Sequence, residues 1–344
     1  MMNENFHIRE RFEAALAGEP ISWPVYAVYD WFVVHRPIDW SLLFARGLGK
    51  INHADLLDVA RPHLEIRETS TPTDRGLRRD VSWITDRGEL HEWYLGEWRQ
   101  EYLVKTPGDY RIFQRALEDT TFTANPGYFE AAESEVGPRG ITVGQMGRTP
   151  LMEMQIDRAG LARFSMDLAD QQPELMDLLD LMNGQMFEAA REAVRSPARF
   201  VKLWENLSLE TIGTSVYRRH LVPQYRKLLE IFQPAGKRLL VHYDGKLRLI
   251  ARDIAALDLG IDSLTPPPEG DLSVAEAREA WPDKFLWLHP PLGWHEEPPA
   301  EFERRIRQMV RDAGPRRFCL MLSEEVPDCW EQTLPLLLRC LNPL

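Results

Sequence analysis

Cysteine is scarce in this chain. Cys319, Cys329 and Cys340 are the only three among 344 residues, an odd number crowded at one end. Such a set implies no disulfide framework, and a reducing compartment is the expectation. Positive charge is also in deficit, with 41 Lys and Arg against 53 Asp and Glu and a net charge of −12. Phosphate backbones call for clustered bases, so no nucleic-acid partner is expected. No run reaches the ~20 apolar residues of a membrane span. The opening M-M-N-E-N-F-H-I-R-E-R-F-E-A-A-L has no positive cap ahead of an apolar stretch, so a cytoplasmic protein without a membrane partner is expected. Missing too are a G-x-G-x-x-G after any predicted strand and a P-loop, which removes the Rossmann reading.

What is present is ordinary globular composition, 44% hydrophobic and 27% charged, with a regular rhythm of strands and helices. Residues 5–17 carry a helical pattern, and V-Y-A-V-Y-D-W (25–31) reads as a first strand. From about residue 140 apolar strand-like runs recur at 141–146, 199–206, 238–245, 261–266, 285–291 and 318–324, with helices between them. Continuous apolar runs bounded by turn signals are the mark of strands buried on both faces. Alternation of strand and helix is the mark of βαβ units. Residues 63–103 differ: they alternate in polarity around D-R-G at 86–88, which predicts an antiparallel hairpin decorating the barrel. Thr106 and Pro107 then open a helix. The expected fold is α/β, a (β/α)8 TIM barrel with an N-terminal β-hairpin extension. It is read as one domain over 1–344, with 63–103 as an insertion.

Barrel chemistry gathers where strands end and βα loops begin. The predicted strand ends are polar: Asp30, then Glu205 and Asn206, His242 and Asp244, Asp262, His289, and finally Ser323, Glu324 and Glu325. Side chains alternate along a strand, so His242 and Asp244 should point one way and Tyr243 the other. Imidazole and carboxylate converging at a mouth suit either a metal or acid–base work. A histidine held by a carboxylate purely for packing is the plain alternative. Glu205 needs a partner if buried, and a salt bridge to an arginine would supply one. Trp31, Trp204, Trp287 and Trp294 lie near strand ends. Aromatic side chains there suit a flat, partly apolar ligand, although filling space between layers explains them as well. Cys319, inside the last strand, reads as a small buried hydrophobe.

These residues resemble the uroporphyrinogen decarboxylase superfamily, which also contains cobamide-dependent methyltransferases. The similarity runs through R-E-R-F-E-A-A-L-A-G-E-P, Y-L-V-K-T-P-G-D-Y, V-P-Q-Y-R-K-L-L-E-I-F-Q-P-A-G-K-R-L-L-V-H-Y-D-G, L-G-I-D-S-L-T-P-P-P-E-G-D-L and R-F-C-L-M-L-S-E-E-V-P. The resemblance implies a (β/α)8 barrel. The decarboxylase's Arg-rich R-Q-A-G-R-Y segment is absent, and only Arg36 lies near that position. The methyltransferases hold zinc with His-x-Cys and a later Cys; here the matching positions read His242-x-Asp244 and Ser323–Glu324. Oxygen donors in place of thiolates favour a harder ion, weaker zinc, or none.

The reading is therefore a methyltransferase-like barrel enzyme acting on a small or medium, partly aromatic substrate at the carboxyl-terminal mouth. His242, Asp244 and Glu324 form its expected catalytic centre and, with one divalent metal, its expected ligand set. Asp30, Trp31, Trp204, Glu205, Asn206, Tyr217 and His289 are expected to contact substrate. The resemblance also implies a separate corrinoid protein as partner. Two alternatives stand beside this reading: a decarboxylase of tetrapyrrole-like or other carboxylates using Arg36 and Asp30, and a ligand-binding barrel without catalysis.

Overall fold

Eight short parallel strands close on themselves in the computed structural model, which describes residues 8–21, 24–323 and 325–341. They are β1 (Tyr26–Tyr29), β2 (Gly49–Asp55), β3 (Gly140–Gln145), β4 (Phe200–Leu203), β5 (Arg238–His242), β6 (Gly260–Leu264), β7 (Leu286–Leu288) and β8 (Phe318–Met321). Each pairs with its successor, and β8 pairs with β1. This is the expected TIM barrel. Strands β1, β4 and β8 are buried at every position, as strands covered on both faces should be. Helices Val222–Phe232, Ala251–Ala255, Val274–Ala280, Pro299–Ala313 and Trp330–Leu341 follow β4 to β8 in turn. Apolar faces seat them: Phe302, Ile306 and Met309, for example, are buried on Pro299–Ala313.

Seven of these strands coincide with predicted ones. The eighth, β2, falls in G-K-I-N-H-A-D, which has no apolar run to announce it. Two of its polar residues, Lys50 and Asn52, donate to the helix Pro126–Val136 behind it. The Lys50 ammonium meets both Glu135 oxygens at 3.0 and 2.9 Å, and Asn52 donates to the Ala132 carbonyl at 2.9 Å. Beside it, β3 opens on Gly140, where a Cβ would lie only 1.6 Å from the Lys50 carbonyl oxygen. Only glycine permits that approach.

The chain divides into two compact units, and the barrel is one. The other comprises residues 57–124 and 147–195. Where the sequence predicts a hairpin, this unit carries a four-stranded antiparallel sheet, Glu65–Thr73, Gly76–Thr85, Gly88–Leu95 and Trp98–Glu101. The D-R-G turn joins its middle strands. The helix Pro107–Leu117 begins with a capping box between Thr106 and Asp109, so the predicted cap is present and reciprocal. Trp83, buried on the sheet, meets Phe113 of that helix with ring centroids 5.3 Å apart.

Candidate functional site

Polar side chains gather toward the carboxyl ends of several barrel strands. Lys202 is the third residue of β4, Tyr29 the last of β1, His242 the last of β5, and Asp262 sits in β6. All four are buried, Lys202 and Asp262 completely. They converge on the Asp262 carboxylate. Tyr29 donates its hydroxyl to Oδ1, while the His242 Nδ1 lies 3.0 Å and the Lys202 ammonium 2.5 Å from Oδ2. The Tyr29 hydroxyl is also 3.4 Å from Nε2 of His289, buried just beyond β7.

From this centre the polar chain runs outward. The His242 Nε2 is 3.2 Å from Asp244 Oδ1, so the two side chains of the H-Y-D segment do meet. Asp244 is half-buried and accepts hydrogen bonds from the Ser263 hydroxyl at 3.0 Å and the Asn206 amide at 2.9 Å. Ser263 and Asn206 both hold positive φ, 67° and 45°. At Ser263 the register of β6 against β7 slips, a bulge at the barrel rim. On the far side, Asp30 accepts from the His53 backbone at 2.8 Å and lies 2.9 Å from its Nδ1. Trp204 spans the gap, its ring 4.7 Å from His53 and 5.4 Å from His242, and its indole N–H donating to Gln145 at 2.9 Å.

The electrostatics follow from this packing. Burial opposes a charge on His242, but Asp244 and Asp262 on either side outweigh it and push the imidazole up to about 9. It is a cation at neutral pH, donating from both nitrogens. Burial likewise opposes the Asp262 carboxylate, yet Lys202 and His242 hold it far below the usual range. Asp244 is held low by His242 and Ser263 against the effect of burial, and Asp30 in the same way by His53. Burial pulls the Lys202 ammonium down, with Asp262 opposing. His53 is lowered by burial and by the Lys202 charge.

Several expected site residues lie elsewhere. Glu205 faces the opposite side from Lys202 and Trp204, because alternation that turns those two inward turns residue 205 outward. Glu205 is fully buried among Tyr217, Tyr225 and Tyr243, and its charge adds to burial in raising all three phenols. The Tyr217 and Tyr243 hydroxyls are 3.0 Å apart. Trp31 is 42% exposed, stacked on Phe32 at 3.9 Å in the helix Asp30–His35. Arg36 is spent on Glu325. Ser323 bonds the Pro290 carbonyl at 2.8 Å. Glu324 lies outside the described residues. Cys319 is buried and its thiol is pushed up, as a packing residue should be.

Sequence reasoning overlooked Tyr29, Lys202 and His53 as members of the centre. A lysine in a strand reads as surface, but its i, i+2 spacing from Trp204 in K-L-W-E put both on one face.

A divalent ion does not fit the described members of the expected ligand set. A ligand histidine offers a bare nitrogen lone pair, whereas both nitrogens of His242 are turned to carboxylates. An ammonium already occupies the place beside Asp262. Among the described residues no group of three His, Cys, Asp or Glu side chains is arranged to hold a metal, and no helix is long and apolar enough to cross a membrane.

No family model and no curated protein matches the chain. Among solved structures it is similar to a methyltransferase from Methanosarcina mazei, with 14% identity, 97% of each chain covered and a TM-score of 0.57. The likeness is one of fold. A putative vitamin-B12 independent methionine synthase from Listeria monocytogenes is also similar, at 13% identity over 63% of this chain and 68% of that one, with a TM-score of 0.42.

Proposed function

We propose that this barrel is an enzyme of the methyl-transfer kind that works by proton transfer at its mouth. The observation that carries the reading is the hydrogen-bonded chain Asp244–His242–Asp262–Tyr29, which leads from a half-buried carboxylate to the barrel centre. The methyl-transfer class is supported by the sequence resemblance to the methyltransferase branch. The small or medium, partly aromatic substrate rests against Trp204, with Asp244 and Asn206 at its polar edge. A methyl group leaves as an electrophile, so the atom it departs keeps the bonding pair and needs a proton. Protonated His242, reached through Asp244, is the group placed to supply it, a contribution of about 10²–10⁴ in rate. Tyr29 and Lys202 hold Asp262 ionised, which keeps His242 charged and in place. A separate corrinoid protein is the methyl acceptor that the resemblance implies.

The decarboxylase reading calls for a basic cavity. Against it, Arg36 is already paired with Glu325, and the centre holds three carboxylates, Asp30, Asp244 and Asp262. A multiply charged carboxylate substrate would meet repulsion there.

The test is to offer methoxyaromatic, methylated-amine and methylthio compounds to the purified protein with free cob(I)alamin, following methylcobalamin by absorbance. Transfer from at least one donor, lowered about 100-fold or more in His242→Ala, is the expected result. No transfer together with carbon dioxide release from carboxylates would replace the reading with the decarboxylase. Ligand binding unchanged in His242→Ala, without turnover, would point to a binding barrel.

A further inference from the structure

The Lys202 ammonium occupies the most enclosed position in the centre. Its side chain is fully buried, and a single carboxylate, Asp262, meets it at 2.5 Å. Asp244 and Asp30 favour its charge from further off, and aromatic rings lie close around it. The nitrogen lies 3.4 Å from the centroid of Trp204, 4.2 Å from that of Tyr29 and 5.9 Å from that of Trp287. Ring faces are negative and attract a cation, most strongly where water is excluded, and cages of such rings recognise ammonium ligands. One carboxylate and three aromatic side chains thus make a receptor for one positive charge. The three rings come from β1, the end of β4 and β7, so the cage is built by the barrel rather than by one loop.

We infer that this cage is a built-in cation site, in which Lys202 fills a pocket for a primary ammonium from its own chain and supplies the counter-charge beside Asp262 without a metal ion. Lys202 is then a positioning residue. It acts through Asp262, whose other oxygen and lone pairs hold Tyr29 and His242. A carboxylate buried there alone would be costly and would take up a proton. The inference concerns the same centre as the proposed reaction but holds whichever chemistry that centre performs. Its tests read stability and metal content, not turnover.

Truncation of Lys202 to alanine removes three methylenes and the ammonium, a vacancy the shape of propylammonium. Lys202→Ala should lower Tm by roughly 10 °C. Propylammonium chloride should restore several degrees of that loss, whereas equal sodium chloride or 1-propanol should not, and unmodified protein should respond to none of them. Lys202→Met, nearly the same shape without the charge, should also be destabilised and should gain nothing from propylammonium; it carries the test if the alanine variant does not fold. The unmodified protein should contain no stoichiometric divalent ion, and its Tm should not move with EDTA. Equal rescue by 1-propanol would mean that space, not charge, is what Lys202 supplies. Lys202→Met as stable as the unmodified protein would overturn the inference. So would one divalent ion per chain whose removal lowers Tm.

Discussion

Strands β4 and β5 bury a carboxylate group on each of their two sides, and the two are handled in opposite ways. On the inner side Asp262 is met by an ammonium, an imidazolium and a phenol. On the outer side Glu205 lies among the three phenols of Tyr217, Tyr225 and Tyr243. The inner arrangement is a set of full charges in mutual balance, where removing any member leaves another unpaid by solvent or partner. The outer one surrounds its carboxyl group with phenols whose own titration burial pushes far upward. Proton chemistry near neutral pH belongs to the first kind of site. The second packs Glu205 and Tyr217 against Tyr225 and Tyr243, on the side of the strands away from Asp262.

Breaking the inner set should have the largest effect. Asp262→Asn leaves Lys202 and His242 as two buried cations without their shared partner, and should cost about 3–5 kcal/mol in denaturant unfolding. If that variant is no less stable than Glu205→Gln, the contrast between the two sides collapses. Next comes pH. His242 titrates at about 9 in the folded chain against about 6.5 unfolded. Its contribution to stability is therefore complete below pH ~6.5 and is lost as pH rises through about 9. Thermal melts from pH 6 to 10 should show this loss, and His242→Gln should flatten it. On the acid side, burial lowers His295 to about 4, so stability should fall as pH drops from about 6.5 toward that value.

Glu205→Gln should cost less, about 1–3 kcal/mol, and should leave the His242 titration, followed by NMR of the imidazole, where it was. Asp244→Asn sharpens the comparison from the other direction. It should cost less than Asp262→Asn while bringing the His242 pKa down toward its ordinary value, so that its cost is felt near neutral pH and fades in more acid solution. The smallest effect is expected far from either side. Arg78, paired with half-buried Asp80 and lying over Trp93 in the inserted sheet, should tolerate Arg78→Ala within about 1 kcal/mol.

The barrel was legible because seven strands are apolar runs with nothing else to be. β2 was not, since Lys50 and Asn52 are satisfied by a helix that no local pattern reveals. The H-Y-D segment could be read from alternation alone, and His242 and Asp244 do meet. Lys202, Tyr29 and His53 escaped notice because their meaning depends on neighbours distant in sequence, Asp262 for the first two and Asp30 for His53. The inserted unit showed its alternation and its D-R-G turn, but four strands rather than two require pairing that is set by tertiary contact.

Asn206 and Ser263 both sit in the left-handed backbone region, and both hydrogen-bond Asp244. Holding two non-glycine residues there costs on the order of 1 kcal/mol or more each, and no core packing requires it of an exposed residue such as Asn206. Selection for stability alone would let both drift to glycine. In a lineage that still uses Asp244 they should stay small and polar, and in one that has abandoned it they should be among the first positions to change. The rim of β6 and the loop after β4 thus form a record, readable in related sequences, of whether this mouth is still in service.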